Sequence, residues 1–581
     1  MNLVFDIETD GLDYSVIFCI VAYDIDDEVL YQFKPSELQE GIDLLSKADK
    51  LIGHNIIGFD IPVIKDLYGV DLSETSTIRD TLVLSRLINP TREGGHSLGS
   101  WGMKLGQHKL EHEDFSQYSN EMLKYCVNDV MLNAKVYKIL KAEAKGFSAQ
   151  SVDIEQSVYA LLDKQRKKGF LLDWKHVLSL KAELEENIEV IKKEVQKEFK
   201  PKEEVFTLRI CYNSDGAISK FAKCRELGTR VRLNDAEYKI ICRDKKIKRT
   251  IRHPFNLGSR KQIGEYLQDF GWKPKKFTPT GQPIVDEKVL NKIKNIPQAE
   301  LISKYLMLQK RIAAVKSWIK ESGDDDRVHG YVNSNGTITG RMTHNGPNMA
   351  QIPSLSSPYG KECRACWIVP EGYKLVGIDA SGLELRMLAH YMEDEDYTNA
   401  IINGDIHTTN QKLAGLESRT QAKTFIYALL YGAGDPKLGT VAGGGREVGA
   451  RLRKSFFDNL PSFKALKDRV GRAAKKGYIK GIDGRKLIVR SEHAALNTLL
   501  QSAGAIVMKK ALIIFEEKIK DIDAHVVANV HDEWQVETEQ MSADTVGNLG
   551  VESIREAGIS LNLKCPLDGE YNVGNNWSET H

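Results

Sequence analysis

Two acidic residues stand two positions apart near the start of the chain, Asp6 and Glu8 in the run VFDIET. On a strand, alternate residues share a face, so both carboxylates point to one side. Asp60 follows in GHNIIGFD, and Tyr125 and Asp129 stand four apart in MLKYCVNDVML, one above the other on a helix. Four carboxylates drawn from separate elements can hold two Mg2+ or Mn2+ ions about 3.5–4 Å apart. That arrangement suits phosphodiester cleavage, one ion activating water and the other steadying the leaving oxygen. Taken singly, each of these acids reads as a surface carboxylate.

A second acidic set lies towards the other end. Asp379 closes an apolar run in KLVGIDASGLELRMLAH, a Ser-Gly turn follows, and a helix opening near Leu383 places Glu384 in its first turn. HVVANVHDEWQVE carries Asp532 and Glu533 between two short β-type runs, the pattern of a hairpin with acids at its tip. Asp379 and Asp532 brought together make a second two-metal site, suited to in-line displacement at phosphorus. Between them, ESRTQAKTFIYALLYGAG spaces Arg419, Lys423, Tyr427 and Tyr431 four apart, a drifting stripe along one helix. Cations on such a stripe face phosphates and rings face bases. Its bland reading is a solvated basic face with snorkelling tyrosines.

These residues need elements to position them. The first 145 residues mix strand-like runs (NLVFDI, VIFCIVAY, KLIGHNI) with helical patterns, as an α/β domain does. From Ser148 to about Lys200 the pattern is long, charged and helical. Residues 201–253 break it with β-branched and basic runs, VFTLRICY and YKIICRDKKIKRTI, which read as an inserted, partly β subdomain. Helical signals resume from Ser259 to about Lys320, SGDDDRVHG marks a boundary, and a Gly/Asn-rich stretch of loop or hairpin material follows. Beyond Lys374, strands and helices alternate to the end. AGGGREVG at 442–449 lacks the GK[ST] of a phosphate-cradling loop and reads as a turn.

The composition is that of an ordinary globular protein: 581 residues, 41% hydrophobic, 28% charged, 46 Gly and 16 Pro. Collagen-like, mucin-like and disordered classes are excluded, and no uninterrupted apolar run reaches membrane-spanning length. The start, MNLVFDIETD, shows no secretory signal, and eight irregularly spaced cysteines are too few for a disulfide scaffold. The net charge of +1 conceals an asymmetry. Residues 1–150 hold 14 basic and 24 acidic side chains, whereas residues 197–253 hold 16 basic and 8 acidic ones. An acidic front and a basic middle suit metal-binding carboxylates and a polyanion partner respectively.

The order D-x-E, HNxxxFD, Y-x-x-x-D resembles the 3′→5′ proofreading exonucleases of the DEDD class, tyrosine subtype, over residues 1–145. By that resemblance Asp6, Glu8, Asp60 and Asp129 are metal ligands and Tyr125 orients the attacking water. DASGLELR, RTQAKTFIYALLYGAG and VHDE resemble the A, B and C motifs of family A DNA polymerases of the T7-like phage branch, and the similarity runs on to the C-terminal GNNWSETH. The fold implied is α/β and multidomain. An RNase H-like exonuclease domain at 1–147 precedes a right-hand polymerase, with a thumb at 148–330, its basic insertion at about 201–253, and palm and fingers at 331–581 (fingers about 395–520). Asp379 and Asp532 are then metal ligands with Glu533 in support, and Arg419, Lys423 and His407 meet the incoming triphosphate. Glu384 crowds the sugar 2′ position, Tyr427 lies near the 3′ position and Tyr431 near the templating base, while Arg341, Gln351, Asn497 and Gln501 touch primer–template.

The resemblance further implies two Mg2+ per active site, with Mn2+ able to substitute. It implies dNTPs, primer–template DNA and a phage helicase-primase as partners, no membrane, and work in the cytoplasm of a bacterial host. Relatives carry a thumb insertion that recruits host thioredoxin; residues 201–253 lie at roughly that place but are shorter and differ in text. The alternative is a 3′→5′ exonuclease whose C-terminal half only binds nucleic acid, a reading that needs Asp379 or Asp532 missing.

Overall fold

The alternation in NLVFDIET becomes the strand Asn2–Thr9, with Leu3, Phe5 and Ile7 in one core layer and Val4 in the other. It is central in a five-stranded sheet ordered Val29–Phe33, Ile17–Asp24, Asn2–Thr9, Lys50–Gly53, Thr77–Asp80. The first three strands are antiparallel and the last two join in parallel. Helices Leu38–Leu45 and Asp60–Tyr68 cover one face, and helix Asn120–Glu143 covers the other, the side of Val4.

The computed structural model describes residues 1–581, which form two compact units: Met1–His176 with Ser317–His581, and Val177–Lys316. The expected boundaries at 148 and 330 do not coincide with these units. Arg327–Val328 pairs with Phe170–Leu172, which also pairs with Trp367–Ile368, so both margins of the expected middle segment are knitted into the first unit. The polar SGDDDRVHG run is a tight turn, with Asp326 at φ 59°, rather than a linker.

The C-terminal part of the first unit is built on a four-stranded antiparallel sheet ordered Ala524–Val530, Glu533–Glu539, Tyr373–Ala380, Gly569–Gly574. Helices Glu492–Lys518 and Ala543–Ser560 contribute to its core, where the Phe515 ring stacks on Trp534 at 5.3 Å. Helix Glu492–Lys518 is long and apolar enough to cross a membrane, but 72% of its apolar window is buried inside the protein. Helices between Glu395 and Ala474 pack into the same core through Tyr397, Phe425, Phe456 and Phe463. Among them, AGGGREVG serves packing: a Cβ on Gly439 would come 1.9 Å from the Gly445 carbonyl oxygen, so only glycine admits that approach. All eight cysteines are free.

In the Val177–Lys316 unit, residues of two long helices are tied by Lys316 to Glu185 at 3.0 Å. Phe199, Phe255, Tyr266 and Phe270 form an aromatic cluster beside them. A four-stranded antiparallel sheet follows, ordered Lys246–His253, Lys202–Arg209, Phe221–Cys224, Thr229–Arg232. YKIIC, expected to be extended, instead lies in helix Asp235–Asp244. A capping box between Asn234 and Glu237 starts that helix, and Ile241 seals the subdomain core, which outweighs the β preference of two adjacent isoleucines.

Candidate active sites

Asp6 and Glu8 point from their strand towards helix Asn120–Glu143, whose Cys126 thiol donates to the Asp6 carbonyl at 3.5 Å. Asp60 opens its own helix and accepts the Ile7 amide at 3.1 Å, which draws it to the same strand. Tyr125 and Asp129 lie one turn apart on the facing helix. Four carboxylates here share a buried space, and their ionisation is opposed. Burial, then the charges of Asp60, Glu8 and Asp129, pushes Asp6 well above the usual carboxylate range. Burial takes Glu8 to about 9 and Asp60 to about 7. Asp129 is raised by burial against the pull of Lys109.

The donor set fits hard divalent cations. Asp129 Oδ1 is buried without a hydrogen-bond partner, and one ligand atom each of Asp6, Glu8 and Cys126 lies within 4.8 Å of the others. Carboxylate oxygens suit Mg2+ and Mn2+; the thiol does not, and is better placed as a packing group. Lys109 has no periodic signal in the sequence, yet its ammonium meets Asp129 at 2.6 Å and lies 4.7 Å from the Tyr125 ring centroid. Asp80 is equally hidden in sequence: its carboxylate accepts the amides of Asn55 and Ile57 at 3.0 and 3.2 Å, shaping the loop before Asp60.

The second set assembles on the C-terminal sheet. Asp379 is directly opposite Glu533 across two strands, and the Ala380 amide donates to the Asp532 carbonyl at 3.1 Å. His531 takes a positive φ of 60° at the hairpin tip, so Asp532 sits in the turn and Glu533 opens the next strand. Burial, then Asp532 and Glu533, raises Asp379 to about 7. Glu533 behaves differently. Burial opposes its charge, but His581 at 2.8 Å, Trp577 at 2.6 Å and the Arg364 charge hold it below its ordinary value. Gln535 also donates to it at 2.6 Å. Glu533 is thus saturated by protein donors, leaving Asp379 and Asp532 as the acids open to a cation. His581 reaches this place because Gly377 leaves room for Thr580, whose carbonyl oxygen a Cβ there would meet at 2.1 Å.

Glu384 lines one cavity together with Arg341, Gln501, His531 and Asp532. Arg341 bonds Glu384 at 3.1 Å. The basic stripe is helix Arg419–Leu430, which ends one residue before Tyr431; that tyrosine caps it and bonds Glu384. Arg419 is held by Asp405 at 2.6 Å, two residues from His407. The His407 ring, 6.4 Å from that of Tyr427, has a buried Nδ1 without a partner, and burial, then Arg419 and Lys423, lowers its pKa. Arg419, Lys423, His407, Tyr427, Tyr431 and Glu384 therefore follow one another as successive neighbours. Asn497 is one turn before Gln501 on the same helix but does not line the cavity, and Gln351 is exposed in the short turn Met349–Gln351 and does not line it either.

Comparison with known proteins agrees with this geometry. The model of DNA polymerase family A matches residues 232–579. The DNA-directed DNA polymerase of Enterobacteria phage T3 is 34% identical over 100% of both chains, and that of Escherichia phage T7 is also 34% identical over 100% of both. A solved structure, the POL domain of Pol1 from M. smegmatis in complex with DNA primer-template and dNTP, shares the fold. Its TM-score is 0.76 over 100% of this chain and 95% of that chain, at 19% identity. With the family A model matched over residues 232–579 and similarity to two phage enzymes over the full length of both chains, this chain belongs to family A and is a DNA-directed DNA polymerase of the T7 type.

Proposed function

We propose that the chain replicates phage DNA by nucleotidyl transfer at the Asp379–Asp532 site and proofreads it at a separate 3′→5′ exonuclease site holding Asp6, Glu8, Asp60, Tyr125 and Asp129. One observation carries the reading: two separate clusters of carboxylates are built on two different sheets, Asp6 and Glu8 on one and Asp379 opposite Glu533 on the other, with Asp60 and Asp129 brought to the first from helices. In synthesis the primer 3′-oxygen attacks the α-phosphorus of a dNTP, the bond to the β-phosphate oxygen breaks, and pyrophosphate leaves. Asp379 and Asp532, and likewise the four front carboxylates, would hold two Mg2+ or Mn2+ ions, whose charge would help activate the attacking oxygen and offset the leaving one.

The chain's own groups do the rest. Glu533, locked by its donors, keeps the hairpin tip in register with Asp379. Arg419, Lys423 and His407 bind the triphosphate and screen its charge. Tyr427 and Glu384 meet the sugar, Tyr431 the templating base, and Arg341, Gln351, Asn497 and Gln501 the primer–template. At the front site Tyr125 orients the water that attacks the terminal phosphodiester. The setting is the cytoplasm of a bacterial host, beside a phage helicase-primase; adding thioredoxin to a long-template extension assay tests that clamp directly.

Asp6→Ala with Glu8→Ala should abolish degradation of a single-stranded 3′ end and leave extension largely intact, whereas Asp532→Ala should do the reverse. If either variant silenced both activities while retaining a cooperative melt, the two-site reading would be wrong.

A further inference from the structure

Four cations stand in one line across the sheet of the Val177–Lys316 unit. Lys246 pairs with Arg209, Arg209 with Lys223, and Lys223 with Arg230, so a single row crosses all four strands. Directly opposed residues share a face, and all four side chains are exposed. The neighbouring row, Ile247, Leu208 and Cys224, points the other way into the small core sealed by Ile241. Two positions along their strands, Lys248 and Arg232 extend the cationic face.

Three of the subdomain's acids are held by other cations, and Glu226 feels the Arg209 charge without forming an ion pair with it. Glu237 holds Arg249 at 2.5 Å from the covered side, Glu203 holds Arg252 at 2.7 Å, and Asp244 holds Arg243 at 2.8 Å. None of the four cations in the row forms an ion pair. Like charges set directly opposite one another on a sheet repel, so the row weakens a subdomain whose core is small. A polyanion laid on this face removes that repulsion.

We propose that this face binds duplex DNA through its phosphate backbone, without reading sequence. Three strand spacings give the row a length of about 14 Å. The same length of B-form duplex carries about eight phosphate charges on its two strands, a regular array that a regular row can meet. Arg209 and Arg230 add planar forks suited to phosphate oxygens. An acidic protein is the competing partner; its charges are irregular, and the row offers no pocket to recognise them.

The test measures affinity of the full-length chain for a blunt labelled duplex across a KCl series without divalent metal, using two unrelated sequences. Replacing Arg209, Lys223, Arg230 and Lys246 together by Gln should flatten the slope of log affinity against log salt by about 0.9 for each phosphate no longer neutralised, about 3.6 in all. Both sequences should lose affinity equally, products per binding event should shorten, and the melting temperature should hold or rise. If the quadruple variant melts without cooperativity, Lys223→Gln with Arg230→Gln serves instead, with an expected change of about 1.8. An unchanged salt slope in a folded variant overturns the proposal and gives the row to an acidic protein. A drop in affinity confined to one of the two sequences overturns it as well.

Discussion

The Tyr431 hydroxyl lies 2.8 Å from one carboxylate oxygen of Glu384 and 2.9 Å from the other, and Arg341 reaches the same carboxylate at 3.1 Å. Glu384 is in the first turn of the helix that begins just after Asp379, and on the proposed reading a nucleotide with its phosphates at Asp379 would present its sugar to this carboxylate. A ribose 2′-hydroxyl arriving there must displace one of these bonds or strand the charge. Leaving such a group unpaired costs about 1–3 kcal/mol, roughly 5- to 150-fold in relative rate. Glu384→Ala should therefore raise the ratio of kcat/KM for rNTP over dNTP by about tenfold or more, while slowing normal synthesis. Tyr431→Phe, which keeps the ring, should move the ratio less. An unchanged ratio in Glu384→Ala would remove this residue from sugar selection.

Glu155 and Gln156, adjacent on helix Ala149–Lys168, serve the two catalytic regions separately. The Gln156 amide accepts from Asp80 N at 2.9 Å and donates to Asp80 O at 3.1 Å, bracing the residue that shapes the loop before Asp60. Glu155 is fully buried between Arg485 at 2.7 Å and Lys509 at 2.5 Å, the latter on the helix that carries Gln501. Gln156→Ala strips Asp80 of both bonds at a cost of about 1–3 kcal/mol. Degradation of a 3′ end should slow by about tenfold with single-nucleotide addition unchanged. Equal loss of both activities would mean that the change spreads through Glu155 rather than acting on the loop.

Local periodicity made the acids legible. Asp6 and Glu8 need only a strand, Tyr125 and Asp129 only a helix, and each spacing is written in neighbouring residues. Lys109 and His581 were not legible, because what gives them meaning is a partner far away in the chain: Asp129 for one and Glu533 for the other. The difference between the expected boundary at 330 and the edge of the compact unit at Lys316 has the same origin. SGDDDRVHG signals a turn correctly, but whether a turn separates domains depends on the pairing of Val328 with Phe170. The helix at Tyr238–Cys242 shows one local rule overruling another, since a capping box and a core position for Ile241 prevail over β-branching.

His54 gives a pH dependence with a definite sign. Burial, then the charges of Arg86 and Lys109, lowers its pKa to about 3, and the ring bonds Thr81 at 2.9 Å. In the unfolded chain a histidine titrates near 6.5. Between these values the unfolded state binds a proton that the folded state refuses, so stability falls as pH drops below about 6.5, by about 1.4 kcal/mol per unit for one such residue. Glu8 at about 9 and Asp60 at about 7 act in the opposite sense, since the folded chain holds their protons. The difference between parent and His54→Gln isolates the imidazole. Calorimetry from pH 7 to 4.5 should show the parent losing about one proton's worth of slope more than the variant. Parallel curves would place the acid lability elsewhere.

Tyr427 provides the sharpest test of the nucleotide site. It lies on the inner face of helix Arg419–Leu430, half-buried, with its ring 6.4 Å from those of both His407 and Tyr431. Burial, then the charges of Glu384 and Asp532, raises its pKa, so the hydroxyl stays protonated and faces the acids on which synthesis depends. No protein group accepts from it or donates to it, which leaves the hydroxyl available to a ligand. On the proposed reading a dNTP would bring its own 3′-hydroxyl to this place, whereas a dideoxynucleotide would leave it empty, and the tyrosine hydroxyl could then fill the polar gap. With phenylalanine the gap has nothing to fill it. A site built around a hydroxyl can discriminate against its absence by several orders of magnitude. The parent should therefore accept dideoxynucleotides within about tenfold of dNTPs, and Tyr427→Phe should raise the dNTP over ddNTP ratio of kcat/KM by at least about a hundredfold. The comparison is made in the Asp6→Ala, Glu8→Ala background, so that excision does not mask incorporation. A ratio already large in the parent, or one unmoved by the substitution, would show that the Tyr427 hydroxyl does not stand beside the 3′ position.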